Sequence, residues 1–553
     1  MEKLKPLKRL WQLVILDKQD IGSIYFYAIL SGLLQLSVPI GVQAIIGFVL
    51  GASMVTSIYI LTFLVVLGVL VVGIMQINQM KIIEKIQQNL FTRNAFEFAE
   101  KIPRIDLQKA DDYYMPEKVN RFFETINIQK GLSKLLLDIP TASIQILFSL
   151  LLLTFYHPMF IIFGVLLILT LAGILRLTAR SGLKTSLKES KYKYAVAAWL
   201  QEIARVVKSF KYSQGTHLNL RKTDHYVIGY LAARTAHFRV LKVQFVTLVI
   251  FKVLITAAML LVGTYLLLNQ ELNIGEFIAA EIVILIVIGA VEKLIGNLEN
   301  VYDIITGLEK IATVTETYTE TDGKLELNTH LSGASVEMIN FGFGFPEEKQ
   351  ILTTISLQIP ARSKVCIQGN EGSGKSTFLK VLSGNYSEFA GSLLINNLPI
   401  TSYKLESLRA KTGIYLNQQE IFTGTLFENI SMGHLDISPE VIMEVADDLG
   451  LHNLLHNLPQ GFETWFEPTG RRMPATLVKK ILLLRAFAHQ PDLLLLEEPW
   501  EGLDEVTQKI IRSYLLNKKN PATVFVATND EAFASACDYV IMLKDTKAAL
   551  IKN

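Results

Sequence analysis

The sequence predicts a membrane-spanning bundle of six α-helices joined to a soluble α/β domain built around a phosphate-binding loop. Three observations carry this prediction. Half of the 553 residues are hydrophobic and the mean hydropathy is positive, which soluble domains rarely show. The apolar residues concentrate before about residue 300, in runs near the roughly 18 to 20 residues needed to cross a bilayer core. Behind them, Gly369, Asn370, Glu371, Gly372, Ser373, Gly374, Lys375, Ser376 and Thr377 complete the pattern G-x-x-x-x-G-K-[ST]. A net charge of +2 gives no reason to invoke nucleic acid or an acidic partner. Cys366 and Cys537 both fall in the soluble half, where a reducing cytosol keeps them as thiols.

Six candidate spans follow in order, at 21–48, 56–79, 134–155, 158–178, 246–268 and 273–296. Their connections alternate in length. The short ones, around Gly51-Ala52-Ser53, Tyr156-His157-Pro158 and Asn269-Gln270-Glu271-Leu272-Asn273, hold no Lys or Arg. The first long one holds Lys81, Lys85, Arg93, Lys101, Arg104 and Lys109, and the second holds Arg180, Lys184, Lys188, Lys191, Lys193, Arg205, Lys208 and Lys211. The positive-inside rule therefore puts the long loops and both termini in the cytoplasm and the short turns outside. Both long loops read as helical extensions of their spans. Their turns, Tyr113-Tyr114-Met115-Pro116-Glu117 and Lys211-Tyr212-Ser213-Gln214-Gly215, are either contacts for a soluble domain or solvated surface.

Ahead of the first span, Leu4, Leu7, Trp11, Val14 and Ile15 recur at helical spacing beside Lys3, Lys5, Lys8 and Arg9. That pattern suits an amphipathic elbow on the inner leaflet rather than a cleavable signal. Charges inside spans are costly and face protein or water. Lys252 and Glu292 fall at similar depth near the inner leaflet, as an ion pair or a snorkelling pair, and Glu281 is the candidate polar group lining a translocation path. The expected domains are an elbow helix over 1–20, a transmembrane domain over 21–310, a linker over 311–330 and a nucleotide-binding domain over 331–553.

The context of the phosphate loop agrees with its chemistry. Lys364-Val365-Cys366-Ile367-Gln368 reads as a buried strand and Thr377-Phe378-Leu379-Lys380-Val381-Leu382 as the helix after the loop, so a helix N-terminus faces the phosphates. In such a loop consecutive backbone N–H groups curl around phosphate oxygens, Lys375 reaches the outer phosphates and the Ser376 hydroxyl holds Mg²⁺.

Four further segments follow in fixed order, and with them the chain resembles an ATP-binding cassette (ABC) exporter half-transporter, one membrane domain fused to one nucleotide-binding domain, over essentially its whole length. Phe345 in Phe343-Gly344-Phe345-Pro346 matches the aromatic that stacks on adenine in that family. Gln418, or its neighbour Gln419, matches the loop glutamine that joins the Mg²⁺ site to the membrane-domain contact, with Gly424-Thr425-Leu426-Phe427-Glu428-Asn429-Ile430 fixing the register. Leu493 to Leu496 followed by Glu497 and Glu498 match the Walker B strand. The resemblance implies Glu497 as a Mg²⁺ ligand through water and Glu498 as the base that orients the attacking water, since phosphoryl transfer depends mainly on positioning and charge neutralisation. Leu503-Asp504 matches the loop that crosses to the partner cassette.

Two departures from the family pattern stand out. Where the family has L-S-G-G-Q, the chain has Met473, Pro474, Ala475, Thr476 and Leu477. Pro474 offers neither a serine hydroxyl nor a backbone N–H, and Ala475 adds a Cβ where glycine permits close approach. Where the family has its switch histidine, the chain has Asn529, which can hydrogen-bond but cannot carry a proton. The resemblance implies an ATP-driven, Mg²⁺-dependent exporter in the inner membrane of a bacterium, paired with a second half-transporter as a homodimer or heterodimer and turning over slowly. A rival reading is an ATP-binding, hydrolysis-poor regulatory or scaffolding subunit. A looser resemblance to haemolysin-type exporters implies peptide or protein cargo, a periplasmic adaptor and an outer-membrane channel, although no peptidase-like domain precedes the first span. Drug and lipid cargo stay open beside it.

Overall fold

A computed structural model describes residues 6–51, 55–109, 115–213, 216–327, 333–345, 350–417, 419–456, 458–468 and 473–552. Of the residues singled out above, Lys3, Leu4, Lys5, Ala52, Ser53, Tyr113, Tyr114, Gln214, Gly215, Pro346 and Gln418 lie outside the described residues, as do parts of the expected elbow and linker. The chain divides into two compact units, Met1–Pro103 with Tyr114–Thr317, and Arg104–Tyr113 with Tyr318–Asn553.

In the first unit, α1 (Pro6–Leu16), α2 (Lys18–Gln35), α3 (Ser37–Leu50), α4 (Val55–Lys101), α5 (Met115–Val119), α6 (Glu124–Tyr156), α7 (Ile161–Arg205), α8 (Val207–Tyr212), α9 (Leu218–Leu268), α10 (Ile274–Gly296) and α11 (Leu298–Thr315) follow in order. Six helical stretches among the described residues are long and apolar enough to cross a membrane. α4, α7 and α9 continue well past the bilayer-spanning length, as expected for the long loops. The helix before the soluble domain runs to Thr315, so the linker expected over 311–330 begins several residues later. Its continuation has an amphipathic reason. Ile304, Gly307, Ile311 and Val314 are buried at the i, i+3, i+7, i+10 spacing of one helical face.

A polar knot joins the helices where α7, α9 and α11 cross. Gln244 Nε2 donates to Thr178 Oγ1 at 2.7 Å and to the Tyr302 hydroxyl at 3.0 Å, and Ser186 pairs with Thr306 at 2.8 Å. Gly182 makes the crossing possible, because a Cβ there would lie 2.5 Å from the Tyr302 ring. Lys252 and Glu292 form an ion pair at 2.5 Å. The expected basic face of α1 is different in one respect. Arg9 is buried and paired with Glu309 and Glu316 on α11, whereas Trp11 and Ile15 are exposed.

The second unit contains β1 (Val336–Phe343), β2 (Leu352–Ile359), β3 (Lys364–Gly369), α12 (Lys375–Leu382), β4 (Ala390–Ile395), β5 (Leu398–Pro399), α13 (Leu405–Ala410), β6 (Thr412–Tyr415), β7 (Gly424–Thr425), α14 (Leu426–Ser431), α15 (Pro439–Asp448), α16 (His452–His456), β8 (Trp465–Phe466), α17 (Ala475–Phe487), β9 (Leu493–Glu497), α18 (Glu505–Leu516), β10 (Thr523–Ala527), α19 (Glu531–Ala536), β11 (Tyr539–Lys544) and β12 (Lys547–Lys552). An antiparallel sheet runs β2-β1-β4-β5, and a larger sheet runs β12-β11-β3-β10-β9-β6. β9, β10 and β3 are parallel and central. Leu493 to Leu496 and Val524 to Ala527 are buried, as both faces of a helix-covered parallel sheet require. The turn expected at residues 113–117 is described only from Met115 on, within the first unit. Gln108 Nε2 donates to the Glu388 carbonyl at 2.8 Å and Gln108 Oε1 accepts from the Glu388 N–H at 3.1 Å, both residues lying in the second unit.

Candidate nucleotide site

The register of the central strands assembles the site. Ala527 lies opposite Ile367 on one side and Glu497 on the other, so the residues after β3, β9 and β10 emerge side by side at the carboxyl edge. Open α/β sheets bind ligands at that edge. The loop after β3 has Gly372 at φ 76° and Gly374 at φ 96°, left-handed values at which a side chain would be strained. Gly374 also caps α12, leaving the first N–H groups of that helix without intrahelical acceptors. Lys375 Nζ lies across the loop, donating to the Gly369 and Asn370 carbonyls at 2.6 and 3.0 Å. Ser373 Oγ is buried without a protein partner, and a phosphate oxygen in the loop would satisfy it.

At the end of β9, Glu497 accepts from the Ser376 hydroxyl through Oε1 and from the Asn417 N–H through Oε2 at 3.2 Å. A hydroxyl and a carboxylate in contact are the all-oxygen donors that Mg²⁺ takes, with water filling the rest of its shell. The donor set thus fits that ion, with Ser376 and Glu497 as the residues that would hold it.

Glu498 sits at φ 43°, an uncommon conformation for a residue with a side chain. Its carboxylate accepts from Thr528 Oγ1 at 2.8 Å. Burial pushes the Glu498 carboxyl above its ordinary range, against the Thr528 bond, which lowers it. The adjacent Asn529 reaches the phosphate loop, its Oδ1 accepting from Gly369 N–H at 3.1 Å. Asn529 therefore acts as an acceptor here.

The remaining expected residues lie apart from this cluster. Phe345 is half-buried and packs edge-on to Tyr386, with ring centroids 5.5 Å apart. Pro474 is the residue before α17, and Leu477 and Val478 donate back to its carbonyl at 2.9 and 3.2 Å. The helix therefore forms despite the altered motif. Met473 and Leu477 pack on the core, while Pro474, Ala475 and Thr476 are exposed at the helix tip. Asp504 caps α18, accepting from Thr507 N at 2.9 Å and Thr507 Oγ1 at 2.8 Å. The G-T-x-x-E-N-I segment is a capping box, with Asn429 fully buried and bonded to Phe422 and Thr425. Glu281 is half-buried on α10 beside buried Ala280 and Val283, with no ion pair among the described residues.

Comparison with known proteins agrees with this geometry. The family model described as ABC transporter matches residues 352–501. Across the whole chain, the structure of a bacterial Atm1-family ABC exporter with ATP bound superposes with a TM-score of 0.84 at 17% identity, covering 96% of this chain and 94% of that one.

The chain has the fold of an ABC exporter half-transporter.

Curated relatives of this chain include a probable ABC transporter ATP-binding/permease protein of Haemophilus influenzae, 29% identical over 52% of each chain. A mitochondrial iron-sulfur clusters transporter of Homo sapiens is 30% identical over 39% of this chain and 29% of its own. A glutathione/L-cysteine transport system ATP-binding/permease protein of Haemophilus influenzae is 30% identical over 41% and 40%. The chain thus spans about half or less of the length of these relatives. With its six apolar helices, the chain is an integral membrane protein.

Thr528, Asn417 and Lys479 contribute to the site without having been singled out in the sequence. Only Thr528 carried a signal, as the hydroxyl residue next to Asn529. The Asn417 contact is a backbone N–H, to which sequence is blind. Lys479 depends on the packing of α17.

Proposed function

We propose that the half-transporter is an ATP-driven exporter of the bacterial inner membrane, with its nucleotide domain in the cytoplasm, that works as a dimer. The observation that carries this reading is the junction of Ser376 and Glu497 beneath Lys375, with Glu498 held beside them by Thr528. In this reading Lys375 and the loop N–H groups bind phosphate oxygens and Phe345 stacks on the base. Gln418, or Gln419, links the site to the membrane domain. Glu498 orients and deprotonates the attacking water, a task that a carboxyl raised by burial suits. Mg²⁺, when bound by Ser376 and Glu497, supplies charge neutralisation at the phosphates. Met473 to Leu477 face the nucleotide of the second half-transporter, and Asp504 lies on the loop that crosses to it.

For cargo we propose a small anionic compound of the glutathione or thiol-bound iron-sulfur class, which the names of the relatives suggest. Arg176, Arg180, Lys184, Lys188 and Lys191 form one exposed face of α7 with no ion pair among the described residues. A polar cavity of about 300 Å³ is lined by Lys130, Lys134, Lys193 and Arg234 and also by Glu124, Glu189 and Asp303, with Lys193 paired to Glu124 and Arg234 to Glu189. The exposed cations of α7 support an anion better than an uncharged drug. Glu281, deeper along α10, is proposed as a polar residue of the path.

Uptake into inside-out vesicles tests this. ATP should drive accumulation of labelled oxidised glutathione in vesicles carrying the protein, and Lys375→Ala should abolish it. Equal ATP-dependent uptake of an unstructured peptide with none of glutathione would return the cargo to the peptide class, and with it an adaptor and outer-membrane channel.

A second reading is favoured by Pro474, Ala475 and Asn529: a subunit that holds ATP but hydrolyses it poorly, regulating an active partner. A homodimer would carry both alterations at both sites. A heterodimer with an intact partner would carry one at each.

A further inference from the structure

The turn that carries Glu498 is fastened by a side chain from a different element. Lys479, one turn into α17, is half-buried. Its ammonium donates to the Glu498 carbonyl at 2.9 Å and to the Glu501 carbonyl at 2.6 Å. It also lies 5.5 Å from the centre of the Tyr415 ring, so three sides of the cation are occupied. Burial lowers the Lys479 ammonium from its ordinary value, opposed by Glu501 and Glu498, and hydrogen bonds from a charged donor are about twice as strong as neutral ones.

The turn needs such a clamp. Glu498 is in the left-handed region, a conformation that a residue with a side chain keeps only where its surroundings impose it. Its N–H is held by the Ala527 carbonyl at 3.0 Å, while its carbonyl is contacted within the turn only by Glu501 N–H at 3.3 Å. Lys479 supplies the stronger restraint on that carbonyl. Two residues on, Trp500 is buried against Phe533 and Arg512, so the turn is anchored there as well.

We propose that Lys479 is a positioning residue for Glu498, its ammonium locking the 498–501 turn so that the carboxylate stays on Thr528 beside the phosphate loop. This rests on the reading of Glu498 as the group that orients the attacking water. The clamp has a consequence for a dimer. α17 begins at the segment proposed to face the partner's nucleotide, so movement of this helix is transmitted through Lys479 to the chain's own catalytic turn. One nucleotide site is thereby made sensitive to the other through a single ammonium.

Full-length protein in lipid nanodiscs tests the proposal with Lys479→Met, which keeps the stem and removes the donors, and Lys479→Arg, which restores them. Lys479→Met is expected to lower kcat about ten- to a hundredfold, the effect of losing charged hydrogen bonds. KM for ATP and binding of a fluorescent ATP analogue should be unchanged, and Lys479→Arg should recover most of the loss. Wild-type kcat in Lys479→Met would overturn the proposal, as would a loss of nucleotide binding equal to the loss of kcat. A second readout is independent of turnover. In a background with Trp11, Trp199 and Trp465 changed to Phe, Trp500 emission should shift to the red in Lys479→Met and return in Lys479→Arg. If hydrolysis proves independent of Glu498, the functional reading fails while this emission still decides the clamp, and an unshifted spectrum overturns it.

Discussion

The two ends of the nucleotide domain differ in how far they keep the chemistry of their fold. At the carboxyl edge of the sheet, Lys375 bonds the phosphate loop, Ser376 bonds Glu497 and Thr528 bonds Glu498. At the tip of α17, Pro474, Ala475 and Thr476 are exposed, and they present a ring, a methyl group and a hydroxyl where the family has a hydroxyl and two glycines. The helix behind them is intact and well packed. The comparison separates two requirements that share one motif. Folding of α17 needs its buried face and a start at residue 475, which Pro474 permits. Reaching a partner's nucleotide needs a specific surface, and that surface is what has changed. In the proposed dimer, holding a nucleotide therefore depends on residues that are present, and speed depends on residues that are altered.

The sharpest way to test this contrast is to repair the tip. Pro474→Ser with Ala475→Gly should raise ATP turnover of a homodimer by about a hundredfold, the usual effect of one transition-state donor. Nucleotide affinity should change little, and unchanged turnover would show that the tip is not what limits the reaction. Asn529→His acts on the other side of the comparison. It replaces the acceptor for Gly369 N–H and should raise turnover about tenfold, within the range of a single charged hydrogen bond, as read from initial rates. A smaller effect is expected in the pH profile. As the proposed base, Glu498 would work ionised, so hydrolysis should fall as pH drops through its folded pKa, which burial places above the usual glutamate range. Thr528→Val removes a bond that lowers that pKa and should move the acid limb to higher pH.

The smallest expected effect is structural. Asp504→Ala should cost about 1 kcal/mol through loss of the α18 cap, measured by denaturant unfolding of the detergent-solubilised protein. The Asp504 carboxyl is lowered mainly by the Thr507 N–H and then by its hydroxyl. Its contribution is thus present above the unfolded value and lost as pH falls through the lower folded value.

Much of this architecture was legible in the sequence because its signals are local. Span length, Lys and Arg placement and the phosphate loop each fit within a short window. Lys252 with Glu292 was readable because depth can be counted from a turn. What escaped was set by packing between distant elements. The burial of Arg9 against Glu309 and Glu316 depends on α11 lying over α1, and the contact of Gln108 with Glu388 depends on which side of a loop faces the sheet. Likewise, Asn529 as acceptor and Lys479 as clamp follow from strand register and helix rotation, which residue types alone do not encode.

The central claim is that this chain hydrolyses ATP slowly through Glu498. ATPase activity of the full-length protein in lipid, compared with Glu498→Gln, tests it most directly. The account predicts a low but measurable wild-type rate that Glu498→Gln reduces about a hundredfold or more while the protein still binds ATP. Equal rates in the two proteins would contradict it.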